Sequence, residues 1–125
     1  LAVQEGDKRQ AILDSAEKVF AVHGAAATID EIAKDAGIAK GTIYLYYASK
    51  DELYISLMED RISTYRERSR RALAGIDAPE GVIEQLVMMR TEFVSQHWGL
   101  LITLFQAGIP GSAQVHERIC RAKLN

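Results

Sequence analysis

Cysteine and proline are nearly missing from this chain: among 125 residues there is one cysteine, Cys120, and two prolines, Pro79 and Pro110. A lone cysteine has no partner within the chain, which excludes a disulfide scaffold. Long apolar runs are missing too. The longest, around Leu100 to Phe105, is far short of the ~20 residues that a bilayer crossing needs. The opening LAVQEGDKRQ has no apolar core of a secretory signal, so a reducing cytoplasm is the expected setting and no membrane partner is expected. It begins with Leu rather than Met, from which a chain trimmed at the front is expected. There is no overall basic excess either, since the net charge is −2.

Catalytic signatures are equally scarce. The chain has no Gly-x-Ser-x-Gly elbow and no His-Glu-x-x-His pair. The nearest phosphate-loop lookalike, Gly37-Ile-Ala-Lys40-Gly41-Thr42, has lysine and glycine in the wrong order on too short a loop. Asp and Glu number 17, but no pair is singled out by its surroundings. No spacing links His97 and His116 to Cys120 as metal ligands. The expectation is a protein that is not an enzyme and that uses neither metal nor cofactor.

What the chain does have is helical periodicity. Hydrophobic residues make up 48% and charged residues 26%, the balance of an ordinary globular protein. No run alternates as a half-buried strand would; apolar positions recur at three and four residues instead. Ile12, Leu13, Ala16, Val19 and Phe20 form one stripe, stopped by Gly24. Thr28-Ile-Asp-Glu31 is a capping box that opens a short helix ended by Gly37. A second box, Ser49-Lys-Asp-Glu52, opens a long helix that fades near Gly75. Between them lies a short segment, Ala39 to about Leu45, too brief to hold its shape without packing on its neighbours. Asp77-Ala-Pro79 predicts another helix start, with Val82, Ile83, Leu86, Val87, Met89, Arg90 and Phe93 following. Gly99 predicts a break, Leu100 to Ala107 a strongly apolar helix, Gly108 to Gly111 a turn, and Val115 and Ile119 one further helix. The fold class is all-α.

One window stands out. From Ala36 to Lys50 there is no acidic residue, and three of the five tyrosines, Tyr44, Tyr46 and Tyr47, fall there with Lys40 and Lys50. Two short helices joined by a tight glycine turn fit a helix-turn-helix, whose second helix enters the major groove. Ile38, Ile43 and Tyr47 can face inward onto Ile12, Phe20 and Ile32. That leaves Lys40, Thr42, Tyr44, Leu45 and Tyr46 to point outward. Lysine neutralises phosphate or reaches guanine acceptors, threonine meets a thymine methyl or a phosphate, and tyrosine hydroxyls donate to phosphate oxygens. Gly41 lets backbone come close to DNA. The arginines Arg61, Arg66, Arg68, Arg70 and Arg71 are interleaved with Glu59, Asp60 and Glu67, the pattern of a solvated helix face.

The strings Thr28-Ile-Asp-Glu-Ile-Ala33, Ala36-Gly-Ile-Ala-Lys-Gly-Thr-Ile-Tyr-Leu-Tyr-Tyr47 and Ser49-Lys-Asp-Glu-Leu53 resemble the DNA-binding domain of TetR-type transcriptional regulators, from about Lys8 to Leu57. The resemblance implies that Thr28 and Lys50 clamp phosphates, with Ala39, Lys40, Gly41, Thr42, Tyr44, Leu45 and Tyr46 at or near the DNA. The chain departs from the pattern at Ala39, where serine is frequent, at Ala25, where an aromatic is common, and at Leu45, where histidine or another polar residue is frequent. These differences bear on which operator is read.

For the rest of the chain the resemblance implies a helical region that binds a small molecule and dimerises. The expected architecture is a three-helix head over residues 1–50, joined by a long helix to a partial effector-binding and dimerisation domain over residues 51–125. Family members usually continue beyond the equivalent of Asn125, so a truncated pocket and dimer surface are expected. Met88, Met89, Phe93, Trp98, Leu101, Leu104 and Phe105 are the large side chains that can line an apolar cavity, although plain core is the commoner use of such a stripe. His97 and His116 are either polar anchors for a ligand or simply hydrogen-bonded. The implied function is a sequence-specific, nucleoid-associated regulator of bacterial type. It would be a homodimer on palindromic operator half-sites and a repressor released by a small apolar ligand. The alternative is a helical protein-interaction module that uses the same head without touching DNA.

Overall fold

A computed structural model describes residues 5–104 and residues 117, 118, 120 and 121. Among residues 5–104 six α-helices follow one another: α1 (Glu5–His23), α2 (Ile29–Ala36), α3 (Lys40–Tyr46), α4 (Lys50–Leu73), α5 (Pro79–Gln96) and α6 (Trp98–Thr103), with a 3-10 turn at Gly24–Ala26. The backbone at 117, 118, 120 and 121 is helical as well, near the final helix expected from Val115 and Ile119. The turn expected at Gly108 to Gly111, like Val115, Ile119, Phe105 and His116, lies outside the described residues.

Local chemistry sets most boundaries. Thr28 caps α2 by accepting from the Glu31 amide at 3.2 Å. Its hydroxyl donates to Glu31 Oε1 at 2.9 Å, which draws the two side chains into one ring of bonds. Gly37 closes α2 with φ 70°, a left-handed conformation that glycine adopts without strain. Ser49 caps α4 by accepting from the Glu52 amide at 3.1 Å. The Glu52 carboxylate is taken by Arg118, whose Nη1 donates to both of its oxygens at 2.7 and 2.9 Å while Nε reaches Glu59 at 2.8 Å. Pro79 stands in the first turn of α5. By contrast α3 has no side-chain cap at Ala39 and is only seven residues long. It is held from below.

That underside belongs to one apolar core. Ile12, Ala16 and Phe20 of α1, Ile32 of α2, Ile43 of α3, and Leu53, Tyr54 and Leu57 of α4 are all almost fully buried within it, together with Leu100 of α6. The first half of α4 is thus packed with the head, and its second half runs on to meet α5.

The break expected at Gly99 falls two residues earlier, at His97, which ends α5 and precedes α6. Gly99 itself lies inside α6, and close packing is its reason for being there. A Cβ built on it would stand 2.7 Å from the Cα of Ala21, so only glycine lets α6 lie this near α1. Beside that contact the Tyr54 hydroxyl donates to the Leu100 carbonyl at 2.8 Å, tying α4 to α6.

Arg61 also departs from the expected solvated face. Its side chain is only 12% exposed and bonds to Asp14 (2.9 Å), Glu17 (2.9 Å) and Asp60 (2.8 Å). Its alternating-charge segment reads as surface, but α1 packs against it and brings two carboxylates to the guanidinium. Burial opposes its charge, yet these three acids hold its pKa above the ordinary arginine value.

Candidate nucleic-acid interface and effector groove

α3 meets the core through Ile43, with Ile38 and Tyr47 packed from the segments on either side. Burial raises the pKa of the Tyr47 hydroxyl, with Arg9 acting against that rise. With the underside fixed, the remaining face is solvent-directed: Leu45 is 83% exposed, Tyr44 is 46% exposed, and Ala39, Lys40 and Gly41 are exposed beside them. Thr42 is half-buried at the edge. Tyr46 turns partly inward, packed against the core with the Arg9 guanidinium 4.9 Å from its ring centre. Expected to point outward, it stands three residues after the buried Ile43, on the same side of the helix, and α1 supplies the cover.

Two lysines of this surface have protein partners. Lys40 Nζ stands 3.3 Å from Asp30 Oδ2, so the fold brings an acid to a window that is acid-free in sequence. Both groups are well exposed, and such pairs contribute little, ~0–1 kcal/mol. Lys50 Nζ donates to the Ala25 carbonyl at 2.7 Å and so braces the 3-10 turn against the start of α4. Thr28 lies exposed at the start of α2.

Behind the head, α4 and α5 enclose a groove of about 490 Å³ lined by Ile62, Tyr65, Arg66, Ser69, Leu86, Arg90, Phe93, Val94 and Leu101. Of the side chains expected around a ligand cavity, the fold brings Phe93 and Leu101 to it. Met89 and His97 instead line a smaller cavity of about 260 Å³, with Glu17, Arg61 and Glu92. His97 Nδ1 there lies 2.5 Å from Glu17 Oε2 of α1. Met88 (61% exposed) and Trp98 (58% exposed) face outward and line neither space. A helical stripe does not reveal which of its edges a neighbour covers. Tyr65, Arg66 and Arg90 are not expected at a ligand from the sequence. Tyr65 belongs with Leu53, Met58 and Ile62 on the apolar stripe of α4, Arg66 sits in an alternating-charge segment that reads as a solvated face, and Arg90 is one position of the helical run of α5.

Among the described residues no cluster of His, Cys, Asp or Glu is arranged to hold a metal, and no helix is long and apolar enough to cross a membrane. Residues 12–57 match the family described as bacterial regulatory proteins, tetR family. The fatty acid metabolism regulator protein of Bacillus subtilis is 33% identical over 99 residues, covering 78% of this chain and 47% of its own length. An HTH-type regulator of the same organism, YhgD, is 32% identical over 90% of this chain and 60% of its own. The chain thus spans about half the length of the curated relatives it matches. Among solved structures, the fatty acid degradation regulator FadR from Bacillus halodurans superposes with a TM-score of 0.81 at 28% identity, over 98% of this chain and 65% of that one. FadR from Bacillus subtilis in complex with stearoyl-CoA superposes at 0.77 and 24% identity, over 92% and 62% of the two chains, a likeness of fold. The strings around α2, α3 and the start of α4, the six-helix order and these relatives agree: this chain belongs to the tetR family of bacterial regulatory proteins, with its helix-turn-helix domain at the N-terminal end.

Proposed function

We propose that this protein is a sequence-specific DNA-binding transcriptional repressor that leaves its operator when a small, largely apolar molecule fills the groove between α4 and α5. The observation that carries the DNA-binding part is the two-sided character of α3, buried along Ile43 and open along Lys40, Tyr44 and Leu45. Lys40, Thr42, Tyr44 and Leu45 reach base edges or phosphates, Ala39 and Gly41 let the backbone approach, and Tyr46 contributes from the rim. Thr28 and Lys50 flank the helix as phosphate contacts, Lys50 while also holding the Ala25 carbonyl. Residues 1–50 serve as the reading head, and residues 51–125 contribute to effector binding and dimerisation. A homodimer would present two α3 helices ~34–36 Å apart to palindromic half-sites. Two of the relatives are named for fatty acid metabolism or degradation, so a long-chain acyl compound is the effector class proposed here.

The test is selection of bound fragments from genomic DNA, followed by titration of the recovered duplex and of random duplex at low and raised salt. A regulator recovers a palindromic site and loses affinity steeply as salt rises, because phosphate contacts release counterions. Absence of binding to any duplex at low salt would leave the protein-interaction module as the better reading.

A further inference from the structure

Tyr65 lines both the groove between α4 and α5 and the smaller cavity beside it, and it carries a polar atom with no partner among the described residues. The Tyr65 hydroxyl is buried, and among the described residues no protein group hydrogen-bonds to it. Its surroundings are otherwise well organised: the ring packs on Phe93 with centroids 4.9 Å apart, and its backbone carbonyl accepts from Ser69 Oγ at 2.8 Å. A buried hydroxyl left without a partner destabilises a fold, and a fully apolar phenyl ring would fill the same place. A side chain that retains such an atom beside a cavity has the mark of a site kept for a ligand at the expense of stability.

The charges around it identify the ligand. Among the described residues no acid lines this groove, although the chain as a whole is acidic, and Arg66 and Arg90 both do. Arginine is donor-only, and the tyrosine hydroxyl is free to donate. The apolar stretch is supplied by Ile62, Leu86, Val94 and Leu101. The smaller cavity, which Tyr65 and Phe93 also line, is different in kind. Glu17 and Glu92 line it, and both carboxylates have partners there, Arg61 and His97 on Glu17, Arg68 and the Gln96 amide on Glu92.

We infer that the Tyr65 hydroxyl is a ligand anchor in this groove, donating to an acceptor oxygen of an apolar chain that carries an anionic group, whose charge Arg90 meets. This rests on the groove being the effector site, and it assigns to that site a residue that discriminates anionic from neutral chains.

The test uses the full chain, with dodecanoate and 1-dodecanol as ligands of equal length and opposite character. Wild type is expected to bind dodecanoate more tightly than dodecanol. Tyr65→Phe is expected to lose roughly tenfold in dodecanoate affinity, while its thermal midpoint rises by ~2–5 °C because the unpartnered atom is gone. Arg90→Met, a change at an exposed position, is expected to erase the preference for dodecanoate without lowering the midpoint. The two readouts move in opposite directions only if the hydroxyl serves a ligand. A Tyr65→Phe chain that is less stable than wild type, or that binds dodecanoate as tightly, overturns the anchor alone. A wild type that binds neither molecule overturns the effector-groove reading and the anchor with it, whatever the operator titration gives.

Discussion

Single residues in this protein do work that depends on what the fold sets beside them. Lys40 is the clearest case. In the free chain it pairs with Asp30, and on a duplex a phosphate would compete for the same ammonium. Lys40→Ala is therefore expected to weaken operator binding and to reduce the log–log salt slope by about 1. Random duplex should show the same slope change if the contact is to phosphate, and a smaller one if Lys40 reads a base. Equal affinity and equal slope for variant and wild type would remove Lys40 from the interface. Gly99 is the second case. Adding one methyl there places it 2.7 Å from Ala21, against backbone as well as side chain. Gly99→Ala should therefore destabilise the chain by ~1–3 kcal/mol in a urea titration, as overpacking does. A neutral result would show that α6 slides off α1 at little expense. The sequence showed the tyrosines, the lysines and the missing acids. It did not show Asp30 reaching back to Lys40, nor why residue 99 is glycine, because both depend on a second helix arriving from elsewhere in the chain.

At the scale of elements, the helix starts were the most legible feature. Thr28, Ser49 and Pro79 announce α2, α4 and α5 by chemistry that acts within four residues. Ser49→Ala should lower stability by ~1 kcal/mol, read as a shift in the urea midpoint with an unchanged slope. The variant loses the bond to the Glu52 amide, whereas the Arg118 clamp on the Glu52 side chain remains. A shift of a few tenths or less would mean that Arg118 already fixes this end of α4. The helix stops were less legible. Gly37 acts through its own backbone and was read correctly. The elbow between α5 and α6 falls at His97, a residue with no stop character, because its imidazole is held by Glu17 of α1 and packs at a tilt against Phe93 with centroids 4.7 Å apart. Long-range partners placed that boundary. The same holds for α3, whose lack of a cap makes it a poor helix alone and whose shape comes from the core under Ile43.

For the whole molecule, the head and the second helical layer share one core through α4 and Leu100, so disturbance of one reaches the other. Alkaline unfolding reports on that core. Burial raises the pKa of the Tyr54 hydroxyl well above its ordinary value of 10.0 and that of Tyr47 less strongly, with Arg9 opposing the latter. In the unfolded chain both ionise near pH ~10, so above that point the unfolded state binds fewer protons than the folded one. Stability is then full below pH ~10 and declines as pH rises toward the folded-state values. Tyr54→Phe should flatten this decline while lowering stability at pH 7 by about 1 kcal/mol through loss of the bond to Leu100. A decline as steep as that of wild type would assign the alkaline transition to other groups.

The sequence alone determined the all-helical class, the helix-turn-helix and the outward placing of Lys40, Tyr44 and Leu45 on α3. Each of these depends on periodicity, capping or glycine chemistry within a few residues of itself. Tertiary structure alone decided that Arg61 is a largely buried joint, that Met88 and Trp98 stand outside the groove, and that Tyr65 lines it while its hydroxyl has no partner among the described residues. Those facts turn on which side of a helix another helix covers. Residues with few differences in local sequence become core, joint or surface according to neighbours that arrive from tens of positions away.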